Sequence, residues 1–152
     1  MNTIKVLDIS PIKYDGGKLS LLDQTRLPGE EVYIDIETKE DMWDAIYHLK
    51  VRGAPAIGVA AGYGLYIDSL SFVGEDVEAF FEHVKKGAKY LNSARPTAVN
   101  LSWALKRMVE GLERENPKTV EAGKKWLEKE AIEIHEEDVA ACKAMGEHGL
   151  SL

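Results

Sequence analysis

The run Val51-Arg52-Gly53-Ala54-Pro55-Ala56-Ile57-Gly58-Val59-Ala60-Ala61-Gly62-Tyr63-Gly64-Leu65-Tyr66-Ile67 constrains this chain most. It opens with an arginine and a glycine, places a proline where a helix can begin, and continues in small or apolar residues. Pro55 suits a first helical position, where its missing N–H has no intrahelical acceptor. The amides near Gly53 and Ala54 then stand at a positive helix end beside the permanent cation of Arg52, a plausible anion site. Gly58, Gly62 and Gly64 each cost a helix up to about 1 kcal/mol relative to alanine. Ala54, Gly58, Ala61 and Gly62 fall on one side at helical spacing, so close approach of another helix or of a ligand would offset that cost. Gly53 and Gly58 have P-loop spacing, but Val59-Ala60 follows where Lys-Ser/Thr is needed, and Gly-x-Gly-x-x-Gly is absent.

With 152 residues, 45% of them hydrophobic, the chain can bury one core, or one core and a small subdomain. Its 26 acids against 19 bases give a net charge of −7, which argues against nucleic acid as a partner and requires a local arginine cluster for any anion. Cys142 is the only cysteine, which excludes an intrachain disulfide framework and fits a reducing compartment. The start Met1-Asn2-Thr3-Ile4-Lys5 lacks the apolar core of a signal peptide. The run from Pro55 to Ile67 is too short and glycine-rich to span a bilayer. The expectation is a soluble, cytoplasmic protein with no membrane partner.

The first segment reads as short strands and turns. Ile4 to Leu7 and Ile12 to Tyr14 lead to Asp15-Gly16-Gly17, a hairpin signal, with Leu19 to Asp23 as the return strand. After the break at Leu27-Pro28-Gly29, Val32, Ile34 and Ile36 alternate with polar residues, as in a half-buried strand. From Thr38, a predicted N-cap, the period becomes helical, with Met42, Ile46 and Leu49 on one face. The second helix, from Pro55, is expected to end between Asp68 and Gly74. A third carries Val77, Phe81, Val84, Ala88 and Leu91, and a fourth, started by Asn92 to Thr97, carries Ala98, Leu101, Leu105, Met108 and Leu112. The fifth follows Asn116-Pro117 and is expected to stop at Gly146 as a C-cap, with Leu127, Ala131, Ile134, Ala141 and Met145 on its apolar line and Asp138 intruding. The fold class is therefore α+β: a small antiparallel sheet of about three strands over residues 1–37, then a bundle of about five helices over 38–152.

Few residues carry chemistry by pattern. Arg52 and Arg95 each precede a proline that starts a helix, and could converge on one phosphate or simply be surface residues. His48, His83, His135 and His148 lack ligand spacing, so no metal is expected. Cys142 reads as a buried small hydrophobe. The charge run from Glu128 to Asp138 reads mostly as a solvated face, with Glu121 and Lys125 in the favourable i, i+4 order. Asp138 could hold an arginine in place or sit at the edge of the apolar stripe.

Val51 to Leu65, together with Ala94-Arg95-Pro96-Thr97-Ala98-Val99-Asn100-Leu101 and the stretch from Glu137 to Gly149, closely resembles the 5-methylthioribose-1-phosphate isomerase family. The resemblance runs through nearly the whole chain. It implies a methionine-salvage enzyme that turns an aldose 1-phosphate into the ketose 1-phosphate without metal or organic cofactor. Because phosphate blocks the anomeric oxygen, the ring must be opened with the phosphate in place. By the same resemblance, Arg52, the Gly53 and Ala54 backbone and Arg95 grip that phosphate. Family members are roughly twice this length, and their catalytic cysteine and aspartate, which work by proton transfer or hydride shift, lie in a Rossmann-like second half that would begin after Leu152. Cys142 does not match that cysteine. The resemblance thus implies an amino-terminal domain, catalytically inert alone, whose partners are the sugar phosphate, its own carboxy-terminal domain and, at full length, a second copy.

Two relatives of other kinds stay open. Regulatory subunits of the guanine-nucleotide exchange factor of translation initiation share the helical domain but generally lack the intact Arg52 to Pro55 signature. Ribose-1,5-bisphosphate isomerases are a nearer enzymatic alternative. The plainest alternative is a helical interaction domain without a ligand.

Overall fold

Asp15 and Lys18 pair to close a two-residue turn, and Gly17 takes φ +94° there, a left-handed value that glycine adopts without steric cost. This hairpin joins β1 (Ile12–Asp15) to β2 (Lys18–Leu22), and β3 (Tyr33–Ile36) pairs antiparallel with β2 in the order β1-β2-β3. The computed structural model describes residues 12–15, 17–23, 25, 29, 32–48 and 54–151, the side chains of 54–55 and 141–151 excepted. The strand expected at Ile4 to Leu7 lies outside them, as does Leu49. The return strand starts one residue before the expected Leu19, and Asp23 leaves it as a loop residue whose N–H still donates to the Val32 carbonyl at 2.7 Å.

Five helices follow: α1 (Lys39–Tyr47), α2 (Ala54–Leu70), α3 (Val77–Asn92), α4 (Val99–Glu115) and α5 (Val120–Ser151). The α+β class expected from the periodicities is the one observed. Three starts are capped by their own side chains: Thr38 Oγ1 accepts from the Asp41 N–H at 3.1 Å, Asp76 Oδ1 from Glu78 and Ala79 at 3.0 and 3.3 Å, and Thr119 Oγ1 from Ala122 at 3.1 Å. Asn116 ends α4 in the left-handed region, φ 50°, with its N–H on the Leu112 carbonyl. Gly146 does not end α5, which continues to Ser151. A glycine inside a helix costs only about 1 kcal/mol, which does not by itself stop it.

Helix α2 is the axis of the molecule. It is buried from Ile57 through Ser69 and packs against α1, α3, α4 and α5, because a helix apolar around its whole circumference has no face to offer water. Gly58 and Gly62, on the side expected for close approach, meet two different helices, and Gly64 meets a third. A Cβ on Gly58 would stand 3.2 Å from the Asn100 carbonyl oxygen of α4, one on Gly62 3.5 Å from Ile134 Cδ1 of α5, and one on Gly64 2.7 Å from Met42 Cγ of α1. The sheet adds Ile12, Leu19, Leu21 and Ile36 to the same core. Each fully buried aliphatic side chain contributes about 1.5–3 kcal/mol.

The buried face of α3 is Phe80, Val84, Gly87 and Leu91, one residue round from the predicted line, with Val77, Phe81 and Ala88 half-buried beside it. Phe80 is drawn inward because Gly123 of α5 leaves room for its ring.

Candidate functional site

The contact of Gly58 with Asn100 is where the first turns of α2 and α4 cross. Just before α4, the Ala98 N–H donates to the Arg95 carbonyl at 2.9 Å, closing a β-turn with Pro96 at its second position. Pro96 therefore shapes this turn and does not start the helix, correcting the sequence expectation, since its fixed φ suits either place. Ala98, at the N-cap of α4, offers no side-chain acceptor to the first amides of that helix, unlike Thr38, Asp76 and Thr119. Arg95 is half-buried and, among the described residues, its guanidinium has no hydrogen-bond or ion-pair partner. Of the residues expected at a phosphate, Arg52 and Gly53 lie outside the described residues, and Ala54 is placed only as the first residue of α2. Pro55 is thus second in the helix, still among the positions whose N–H lacks an intrahelical acceptor.

Beside this crossing lies a cleft of about 360 Å³, the size of a small-ligand site. Its apolar walls are Val59, Val99, Trp103 and Ile134, and its polar groups are Asn100, Glu137 and Asp138. Glu137 is already engaged. Arg107 donates from Nη1 and Nη2 to its two carboxylate oxygens at 2.9 and 2.6 Å, and from Nε to Glu130 at 2.7 Å, with the guanidinium 5.5 Å from the Trp103 ring centre. These bonds hold the Glu137 carboxyl below the usual range and push Arg107 further up. Asp138 is half-buried on the cleft wall and pairs with no arginine among the described residues, which do not include Arg52. Its charge acts on His135, raising a pKa that burial, the larger effect, lowers.

The charge run is only partly a solvated face. Glu133 and Glu136 are exposed, but Glu128 accepts from Tyr14 and, at 3.2 Å, from Tyr66, and His135 Nδ1 meets the Tyr63 hydroxyl at 2.8 Å. Tyr14 and Tyr63 stack with ring centres 4.9 Å apart, fastening β1 to α2. Burial, the first cause in each case, pushes all three phenols up, so they remain donors at neutral pH. Glu121 and Lys125 do pair, at 3.9 Å and fully in solvent, where such pairs contribute little.

Sequence reasoning missed two residues. Trp103 lies off the apolar line of α4 and is 51% exposed, and a large aromatic away from its helix's stripe is the signal that marks it. Asp68, the lone acid of α2, is 4% exposed. Its Oδ1 is 3.6 Å from Lys39 Nζ and its Oδ2 3.4 Å from His83 Nε2. Burial raises its pKa against the pull of those two partners.

Among the described residues no three His, Cys, Asp or Glu side chains gather as metal ligands, and no helix is long and apolar enough to cross a membrane. The side chains of Cys142 and His148 lie outside the described residues. A larger groove of about 540 Å³ between α3 and α4 is lined by charges that satisfy one another, such as Lys85 and Glu113 at 3.2 Å.

This fold of a small sheet and a helical bundle recurs in solved structures. The 5-methylthioribose 1-phosphate isomerase of Pyrococcus horikoshii OT3 matches with TM-score 0.78 and 31% identity, over 86% of this chain and 39% of that one. Subunit delta of translation initiation factor eIF-2B from A. fulgidus matches with TM-score 0.80 and 39% identity, over 87% and 38%. The chain belongs to the initiation factor 2 subunit family, whose model matches residues 50–152. It is 50% identical over 144 residues to the 5-deoxyribose 1-phosphate isomerase of Moorella thermoacetica, covering 95% of this chain and 41% of that protein. It is also 50% identical over 132 residues to the methylthioribose-1-phosphate isomerase of Parabacteroides distasonis, covering 87% and 39%. The chain thus spans about two fifths of the length of these relatives.

Proposed function

We propose that this chain is the amino-terminal domain of an aldose–ketose isomerase that converts a 5-substituted ribose 1-phosphate, such as 5-methylthioribose 1-phosphate, into its ketose 1-phosphate. The observation that carries the reading is the crossing of α2 and α4 at Gly58 and Asn100, with the Arg95 guanidinium, in the turn before α4, unpaired among the described residues. Helix amides lacking a side-chain cap, beside an unpaired guanidinium, are the chemistry of phosphate recognition. On this reading Arg52, the backbone at Gly53 and Ala54, and Arg95 hold the phosphate. The acid and base that open the ring and move the hydrogen come from a further domain of the full-length protein. This reading makes the domain inert alone, and its partners that further domain and, in a cytoplasmic homodimer, a second copy. Methionine salvage is its proposed setting.

Phosphorus and proton NMR of the full-length protein and of this 152-residue chain, each incubated with 5-methylthioribose 1-phosphate, tests the proposal. Conversion by the long form alone supports it, and turnover by the short chain contradicts the division of labour. The likeness to the translation-factor subunit favours a second reading, a regulatory sugar-phosphate or nucleotide binder. Binding without conversion by the long form would select that one.

A further inference from the structure

The cleft beside the helix crossing has walls that the phosphate reading does not use. Its lining is apolar, from Val59, Val99, Trp103 and Ile134, and Val99 and Trp103 remain 79% and 51% exposed. It is a poor seat for an anion. Its carboxylates are Glu137 and Asp138, and Arg107, the arginine that pairs with Glu137, is engaged by both Glu130 and Glu137. Arg95 and the helix amides, the groups suited to phosphate, belong to the chain just before the residues that wall the cleft. A ligand held by its phosphate at the helix starts would therefore extend its other end toward an uncharged, apolar hollow edged by acid. The two substrates in the matched relatives' names, 5-deoxyribose 1-phosphate and methylthioribose 1-phosphate, differ at that other end: one carries a methyl group there, the other a longer methylthiomethyl group.

Resting on the isomerase reading, we infer that this cleft is a specificity pocket for the 5-substituent, accepting an apolar group against Trp103 and Val99 and excluding a second phosphate through Asp138. Trp103 is held for this role by Arg107, whose guanidinium lies over its ring and ties α4 to α5 through Glu130 and Glu137. The pocket separates the 5-deoxy and 5-methylthio sugars from ribose 1,5-bisphosphate by charge, and from one another by how far the substituent reaches. A single methylene in an apolar pocket is worth about 10- to 200-fold in discrimination, and the methylthio group is larger than that, while a like-charge clash is worth about 100-fold.

The test measures kcat/KM of the full-length protein for 5-methylthioribose 1-phosphate, 5-deoxyribose 1-phosphate and ribose 1,5-bisphosphate, in the wild type, Trp103→Ala, Val99→Thr and Asp138→Asn. The wild type should favour both uncharged 5-substituents over the bisphosphate by about 100-fold. Trp103→Ala should lower kcat/KM for the methylthio sugar about 10-fold or more while changing the 5-deoxy sugar less than about threefold. Val99→Thr should act in the same sense at a site too exposed to disturb folding, and Asp138→Asn should improve only the bisphosphate. Equal effects on the methylthio and 5-deoxy sugars, or a wild type that converts the bisphosphate as well as the others, would overturn the pocket while leaving the isomerase standing. A wild type that converts none of the three overturns both readings.

Discussion

Arg107 on α4 grips Glu137 on α5 with two parallel hydrogen bonds, Nη1 to Oε1 at 2.9 Å and Nη2 to Oε2 at 2.6 Å, while Nε reaches Glu130 at 2.7 Å. Each of its three nitrogens donates, and the fork sets the spacing of the two helices that form one side of the cleft. Removing the guanidinium would leave Glu130, which is half-buried, without its cation.

Arg107→Ala should therefore lower stability by about 1–3 kcal/mol, and Arg107→Lys should recover only part, because an ammonium cannot form the parallel pair. The pH dependence has a definite sign. Glu137 is held below its ordinary pKa, so its contribution is complete above the ordinary carboxylate range and is lost as pH falls through the lowered value. Urea denaturation from neutral pH to below 4 should show that loss in the wild type and a smaller one in Arg107→Ala. An identical acid slope in both would contradict the assignment.

The glycines of the central helix separate by what each faces. Gly62→Ala places its Cβ 3.5 Å from Ile134 Cδ1, an ordinary contact, and should stabilise by about 0.4–1 kcal/mol. Gly58→Ala meets the Asn100 backbone oxygen at 3.2 Å, where helix α4 itself must give way. It should destabilise by about 1–3 kcal/mol. Thermal melts of the two variants should move in opposite directions.

Asp68 meets Gly87 so closely that any Cβ there would collide with its carboxylate. Gly87→Ala should be among the most damaging single changes in α3, at about 3 kcal/mol by overpacking. Asp68→Asn probes the charge instead. The raised pKa means that the folded state holds the proton more tightly than the unfolded one, so the acid's contribution is fully present at low pH and weakens as pH rises through the folded value. Asparagine lacks that term, so the stability of the variant relative to the wild type should improve as pH rises from about 3 toward neutrality. The opposite trend would show that Lys39 and His83 outweigh desolvation.

In the full-length protein, Arg95→Ala and Arg52→Ala should mainly raise KM, with some loss of kcat if the phosphate grip also positions the sugar. Arg95→Lys should not restore it, since a point charge lacks the fork. Steady-state kinetics with 5-methylthioribose 1-phosphate decides it, and unchanged kinetics in the alanine variants would remove both arginines from the site.

What was legible in the sequence was what repeats along it. The alternation at Ile34 and Ile36, the stripe Leu101, Leu105, Met108 and Leu112, the cap at Thr38 and the break at Asn116-Pro117 ahead of the last helix are local matters of period and hydrogen bonding, and they give the sheet, the bundle and most element ends. The arginines were visible too, as residues just ahead of glycine or proline breaks. What only the tertiary structure decided is which side chains meet across elements. No period reveals that Gly58 rests on Asn100, that Arg107 claims Glu130 and Glu137 from what reads as a solvated charge run, or that Trp103 and Asp138 wall one cleft. Helix faces offer several charged and aromatic positions at similar spacing. The angles at which α4 and α5 cross α2, set by close packing of small and large side chains, choose among them.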